Sequence, residues 1–231
     1  MRLTTSSSSI AAILAVVLTG GLQGQASQVR YPQMAPLSEY LMADRSAEIA
    51  LARTAAPPAI SDHASILVLG PRGYETAVQG TNGFVCVVER SWMAPFEHPA
   101  FWNPKIRGPI CYNPPAAQTI LPITRRRTTL ALAGIPRAAM LDSMRAGARH
   151  TPAPGAMAYM LSKHGFLDDS AGAWRPHLMI FAPAADSAHW GADVAGSPVM
   201  SLPQYVAEGD PIALFLIPVA NWSDGSQAPP H

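Results

Sequence analysis

The sequence predicts an α+β domain built on one sheet. Three observations carry that reading. Short apolar runs separated by Gly- and Pro-containing turns occupy residues 64–90. A stretch with helical spacing follows at about 115–149. Strand-length apolar runs then return in the C-terminal third. The expected architecture is an antiparallel meander, a helical middle and further strands. Together they would form one mixed or antiparallel sheet with helices on one side.

The first residues read as a leader rather than as part of the domain. Arg2 gives a positive start, Ile10 to Leu18 is an unbroken apolar run, and Gly24-Gln25-Ala26 offers small residues for cleavage. This is the three-part pattern of a secretory signal peptide over residues 1–26. The apolar run is shorter than the ~20 residues that span a bilayer. No later stretch is longer, so the mature chain is expected to have no transmembrane segment. It is expected in the periplasm or outside the cell.

Residues 27–220 then read as a single domain and 221–231 as a flexible tail. Cleavage removes one charge, Arg2, and takes the formal net charge from +1 to 0. That balance argues against nucleic acid as a partner. Lys105 and Lys163 are the only lysines among 16 basic residues, a usage typical of GC-rich bacterial genomes.

Leu37 to Arg53 predicts one helix, with Ser38 as its cap and Leu41, Met42, Ile49 and Ala52 on one face. Glu48 and Arg45 fall on the polar side. Strands follow at Ser65–Leu69, Tyr74–Val78 and Phe84–Arg90, joined by Gly70-Pro71-Arg72-Gly73 and Gly80-Thr81-Asn82-Gly83. Turns this short favour antiparallel neighbours.

Ser91 to Pro114 has no helical or strand period and carries Trp92, Phe96, Phe101, Trp102 and Tyr112. Loops of this length are usually functional or tied down. This one would cover the sheet or wall a binding cleft. Two cysteines in an exported chain predict a disulfide, Cys86–Cys111. Closing a loop of about 26 residues stabilises by roughly 3 kcal/mol in the chain-entropy picture.

In the helical middle, Pro122 marks a break and Gly134 a C-cap, and Pro136 to Arg149 forms a second helix. Arg125-Arg126-Arg127 reads as a solvated helix face. The later strands are Ala156–Leu161, His177–Phe181, Pro198–Ser201 and Ile212–Val219.

No Gly-x-Ser-x-Gly elbow, His-Glu-x-x-His, P-loop or dinucleotide fingerprint occurs. The chemistry-bearing residues instead gather between Lys163 and His189. His177 with Asp168 or Asp169 would serve as an acid–base pair, with Ser170 as the available nucleophile. His164, His177 and His189 could supply a divalent metal site, zinc being the natural ion. Otherwise no cofactor is expected. Trp92, Trp102, Lys163, Trp174 and Arg175 are the candidate binding residues. Asn221-Trp222-Ser223 matches a glycosylation sequon, read as accidental in a bacterial chain. The function expected first is an exported binding or accessory protein whose partner is a small molecule, a glycan or an envelope protein. The alternative is a secreted hydrolase, metal-dependent or metal-free, using residues 163–189.

Overall fold

The computed structural model describes residues 30–147, 149–169, 172 and 175–229. The leader, Ser170 and Trp174 lie outside them. Among the described residues an eight-stranded sheet runs in the order β2-β1-β3-β4-β5-β6-β8-β7. Its strands are β1 (Ser65–Gly70), β2 (Gly73–Val78), β3 (Val85–Glu89), β4 (Gly108–Tyr112), β5 (Met157–Met160), β6 (His177–Pro183), β7 (Met200–Leu202) and β8 (Ile212–Pro218). The α+β class expected from sequence is therefore observed.

The first three strands depart from a meander. β1 pairs with β2 antiparallel, but β3 lies on the other side of β1 and runs parallel to it. The connection from β2 to β3 must cross the start of β1. Gly80 is the crossing point: a Cβ there would stand 2.2 Å from the backbone nitrogen of Ser65. Only glycine lets two backbones pass this closely. Its neighbours are tied down at once, Thr81 N–H donating to His63 O at 2.8 Å and Ser65 N–H to Phe84 O at 2.9 Å.

The stretch 91–114 is not structureless. It contains β4, which pairs with β3 over five residues and sets Cys86 directly opposite Cys111. The two cysteines form the expected disulfide. Pro109 hid this strand, because proline argues against an interior strand. β5 pairs only with Cys111 and Tyr112, so Pro109 lies beyond that ladder. Asn113 reinforces the short β4–β5 seam. Its side chain accepts from Met157 N–H at 3.1 Å and donates to Gly155 O at 2.8 Å.

Helices cover both faces rather than one. The expected first helix is broken into α1 (Leu37–Tyr40) and α2 (Arg45–Arg53), because Leu41 is extended and Asp44 caps the second piece by accepting from Ser46 N–H. α2 and the short α3 (Pro58–Ser61) pack Ala52, Ala55 and Ala56 on Ile66, Cys86 and Val88. The opposite face, with Leu67, Val87 and Ile110, meets α4 (Pro114–Thr119), α5 (Leu121–Leu132) and α6 (Arg137–Arg145). Double cover explains why β1 and β3 are apolar throughout instead of alternating. The last helix, α7 (Gln204–Ala207), buries Tyr205 beside Phe181.

Glu48 and Arg127, both assigned to solvent-facing sides of helices, are inside. Glu48 and Arg90 form an ion pair at 2.8 Å, and Arg127 and Glu208 another at 3.2 Å. Arg125 alone of the arginine triplet is exposed.

A groove and a cleft on either side of a terminal hairpin

The helical layer stops short of the β6–β8–β7 end of the sheet. On β6 and β8, side chains alternate between faces, with Met179 opposite Leu216 and His177 opposite Pro218. Further along, Phe181, Ile212 and Leu214 are buried in the main core. Towards the strand ends His177, Leu216 and Pro218 border an open groove of about 1310 Å³. Met200 and Leu202 of β7 extend its floor, being paired with Leu216 and Leu214. Its titratable lining residues are His177 and Arg175, and the rest is mostly aliphatic and proline.

Residues 220–229 form the other wall. They fold back as a hairpin, where a loose tail was expected. Ala228 N–H donates to Ala220 O at 2.7 Å and Trp222 N–H to Ser226 O at 2.9 Å. Ser223 N–H donates to Leu161 O at 2.9 Å, and Lys163 pairs with Asp224, docking the hairpin on the end of β5. Its polar, proline-bearing composition masked this order, since turn residues read the same in a hairpin and in a loose tail.

A second cleft of about 430 Å³ lies on the opposite face of the sheet. Tyr159 and Leu178, register partners on β5 and β6, form its floor, and Trp222 and Pro57 its walls. Val219 and Ala220 border both cavities.

The candidate site residues scatter. Trp92 is fully buried against Tyr40, its indole N–H donating to Thr128 Oγ1 at 3.0 Å. Trp102 is 4% exposed and packs edge-on to Phe101. The aromatic loop is thus core, and its rings offer no open platform. Asp169 engages Tyr31, Arg30 and Lys105, fastening the N-terminal arm to the 91–107 loop. The hydrogen bond from Tyr31, then those from Lys105 and the nearby cations, hold its carboxyl below the ordinary range. Asp168 forms a bridge with Gly172 through the backbone.

His177 is 6% exposed, with Nδ1 2.7 Å from Arg175 O. A carbonyl only accepts, so Nδ1 carries the proton. Burial lowers the pKa and keeps the ring neutral. His164 and His189 are exposed. Among the described residues no three His, Cys, Asp or Glu side chains are grouped to hold a metal. The three histidines therefore do not assemble into a ligand set.

The groove and cleft are two of the concave features among the described residues; a further one, of about 470 Å³, lies at the turn between β1 and β2. No family model matches the chain, no curated protein matches its sequence, and no solved structure matches it. Of the groove's residues, sequence reasoning singled out His177 and Arg175 but missed Leu216, Met200 and Leu202. Nothing local in the sequence set them apart from core residues: that Met200 and Leu202 are exposed and Leu216 partly so is visible only in the fold.

Proposed function

We propose that this is an exported binding protein that holds an aliphatic chain in the groove beside β6, β7 and β8. The groove itself carries the reading. It is wide, open at the surface, and lined by Leu167, Met200, Leu202, Leu216 and prolines. Apolar surface of this extent drives association with apolar ligands. The disulfide and the leader-like first residues support a site of action in the periplasm or outside the cell. No helix among the described residues is long and apolar enough to cross a membrane.

A fluorescent fatty acid titrated into purified protein tests this. Binding should saturate, and Leu216→Trp, which narrows the groove and changes its apolar floor, should weaken it. An absence of binding, or binding indifferent to Leu216→Trp, defeats the reading.

A second reading, hydrolysis in the same groove, draws on His177 lining it. It predicts turnover of a p-nitrophenyl acyl ester, lost in His177→Ala while fatty-acid binding persists. Binding without turnover would leave the binding protein alone.

A further inference from the structure

We propose that the cleft under Trp222 is a binding site for a neutral saccharide. It lies on the opposite face of the sheet from the groove and stands or falls independently of it. Tyr159 and Trp222 each show part of a ring to the cleft, and both are neither buried nor fully exposed. Tyr159 is steadied from behind by Phe84, centroids 6.3 Å apart. Trp222 is steadied by the hairpin bonds described above and by Gly225 N–H donating to Trp222 O at 3.0 Å. Rings held this way lose little freedom when a ligand docks.

The polar groups at the cleft are unspent. Among the described residues the Tyr159 hydroxyl, the Trp222 indole N–H, the Asn221 amide and the Ser223 hydroxyl make no hydrogen bond, although each belongs to a residue lining the cleft. Donors and acceptors beside aromatic faces match one chemistry. A pyranose ring has C–H faces that lie on aromatic surface and hydroxyls that radiate in its plane. A purely aliphatic ligand would cover these polar groups without pairing them, which is unfavourable. A charged ligand would find no open counter-charge, because Lys163 and Asp224 at the hairpin already pair with each other. The volume of about 430 Å³ suits a mono- or disaccharide unit rather than a long chain.

The test is a titration of the full protein, followed by two-dimensional NMR at the tryptophan indole signals. The probes are glucose-, galactose- and N-acetylglucosamine-terminated disaccharides, up to millimolar concentration. At least one should shift the Trp222 indole resonance saturably. Trp222→Ala should weaken that binding about tenfold or more, Trp222→Phe less, and Tyr159→Phe by a few-fold, on the usual scale of ring stacking and a lost hydrogen bond. Each variant should keep the wild-type circular dichroism, since Trp222 and Tyr159 lie at the surface of the fold. The proposal is overturned if no probe shifts the Trp222 signal. It is equally overturned if a folded Trp222→Ala protein binds as well as the wild type.

Discussion

The two buried ion pairs are both sealed from solvent, yet they are finished differently. Arg90 donates through Nε to Tyr40 O at 2.7 Å, through Nη1 to Val88 O, and through Nη2 to Glu48. Glu48 also accepts from Leu69 N–H at 3.1 Å. The pair thus joins α1, α2, β1 and β3, just beyond the point where the parallel ladder of β1 and β3 ends at Leu67 and Val87. Arg127 donates to Met93 O, Ala94 O and Glu208, and its guanidinium lies 4.3 Å over the Phe96 ring. Its Nε and Glu208 Oε2 are buried with no partner among the described residues. Burial, only partly offset by Arg127, pushes the Glu208 carboxyl up to about 7. A buried charge is tolerated in proportion to how fully its hydrogen bonds are met. The first pair is a completed joint. The second is a joint whose charge state changes near neutrality.

Four measurements would break or sharpen that contrast. Arg90→Met should be the most damaging, because it strands Glu48 and removes the donors to Tyr40 O and Val88 O. Chemical denaturation should record a loss of about 3–5 kcal/mol, the usual cost of breaking a buried pair. Arg127→Met should cost less, because Glu208 can take up a proton. Equal losses would erase the distinction.

Removing the disulfide by Cys86→Ala with Cys111→Ala should lower stability by roughly 3 kcal/mol without unfolding the chain. A protein that no longer folds would show that the first half depends on the covalent link as well as on the completed joint.

The pH response comes next. Glu208 has a folded pKa near 7 against an ordinary value of 4.5. The folded state therefore holds more protons between these values. Its contribution to stability is complete below 4.5 and is lost as pH rises through 7. The difference between the two ends should be roughly 3 kcal/mol. Glu208→Gln should flatten that part of the stability–pH curve. Parallel curves for the two proteins would refute the assignment.

The smallest effect concerns the groove. Leu216→Trp should change stability by less than about 1 kcal/mol, since the position is partly exposed at the groove, while weakening aliphatic binding. A large loss of stability would mean that Leu216 supports the core instead of lining a site.

Much of the fold was legible because burial writes a local pattern. β1, β3, β5, β6 and β8 each coincide with a short apolar run, and the cysteine pair pointed to its own partner. What escaped depends on distant partners. Arg127 sits 81 residues from Glu208 and Arg90 lies 42 from Glu48, so nothing local separates them from surface charges. β4 escaped because Gly108 and Pro109 carry no strand signal. The β1–β3 crossing escaped because the Gly80 turn resembles an ordinary hairpin turn until the backbone beneath it is known. The candidate site was the least legible part. The polar residues between 163 and 189 drew attention by their chemistry, yet Asp169 fastens the N-terminal arm. The cleft around Trp222 was hidden in a segment whose composition resembles a disordered tail.

The seam between β4 and β5 has a consequence for how the molecule opens. Two paired residues, Cys111 with Tyr159 and Tyr112 with Ala158, join a four-stranded unit to another four-stranded unit. The chain between them makes the whole helical excursion before returning, so this contact closes the longest loop in the sheet. Such a place is a natural boundary between cooperative units in partial unfolding. The disulfide secures β3 to β4 and so strengthens one unit without crossing the boundary. Asn113 crosses it, and the same side chain caps α4 by accepting from Ala116 N–H at 3.0 Å. One amide thus couples the start of the helical layer to the cohesion of the two sheet halves. Amide exchange on the β5 side of the seam should report the loosening of that layer before either half unfolds.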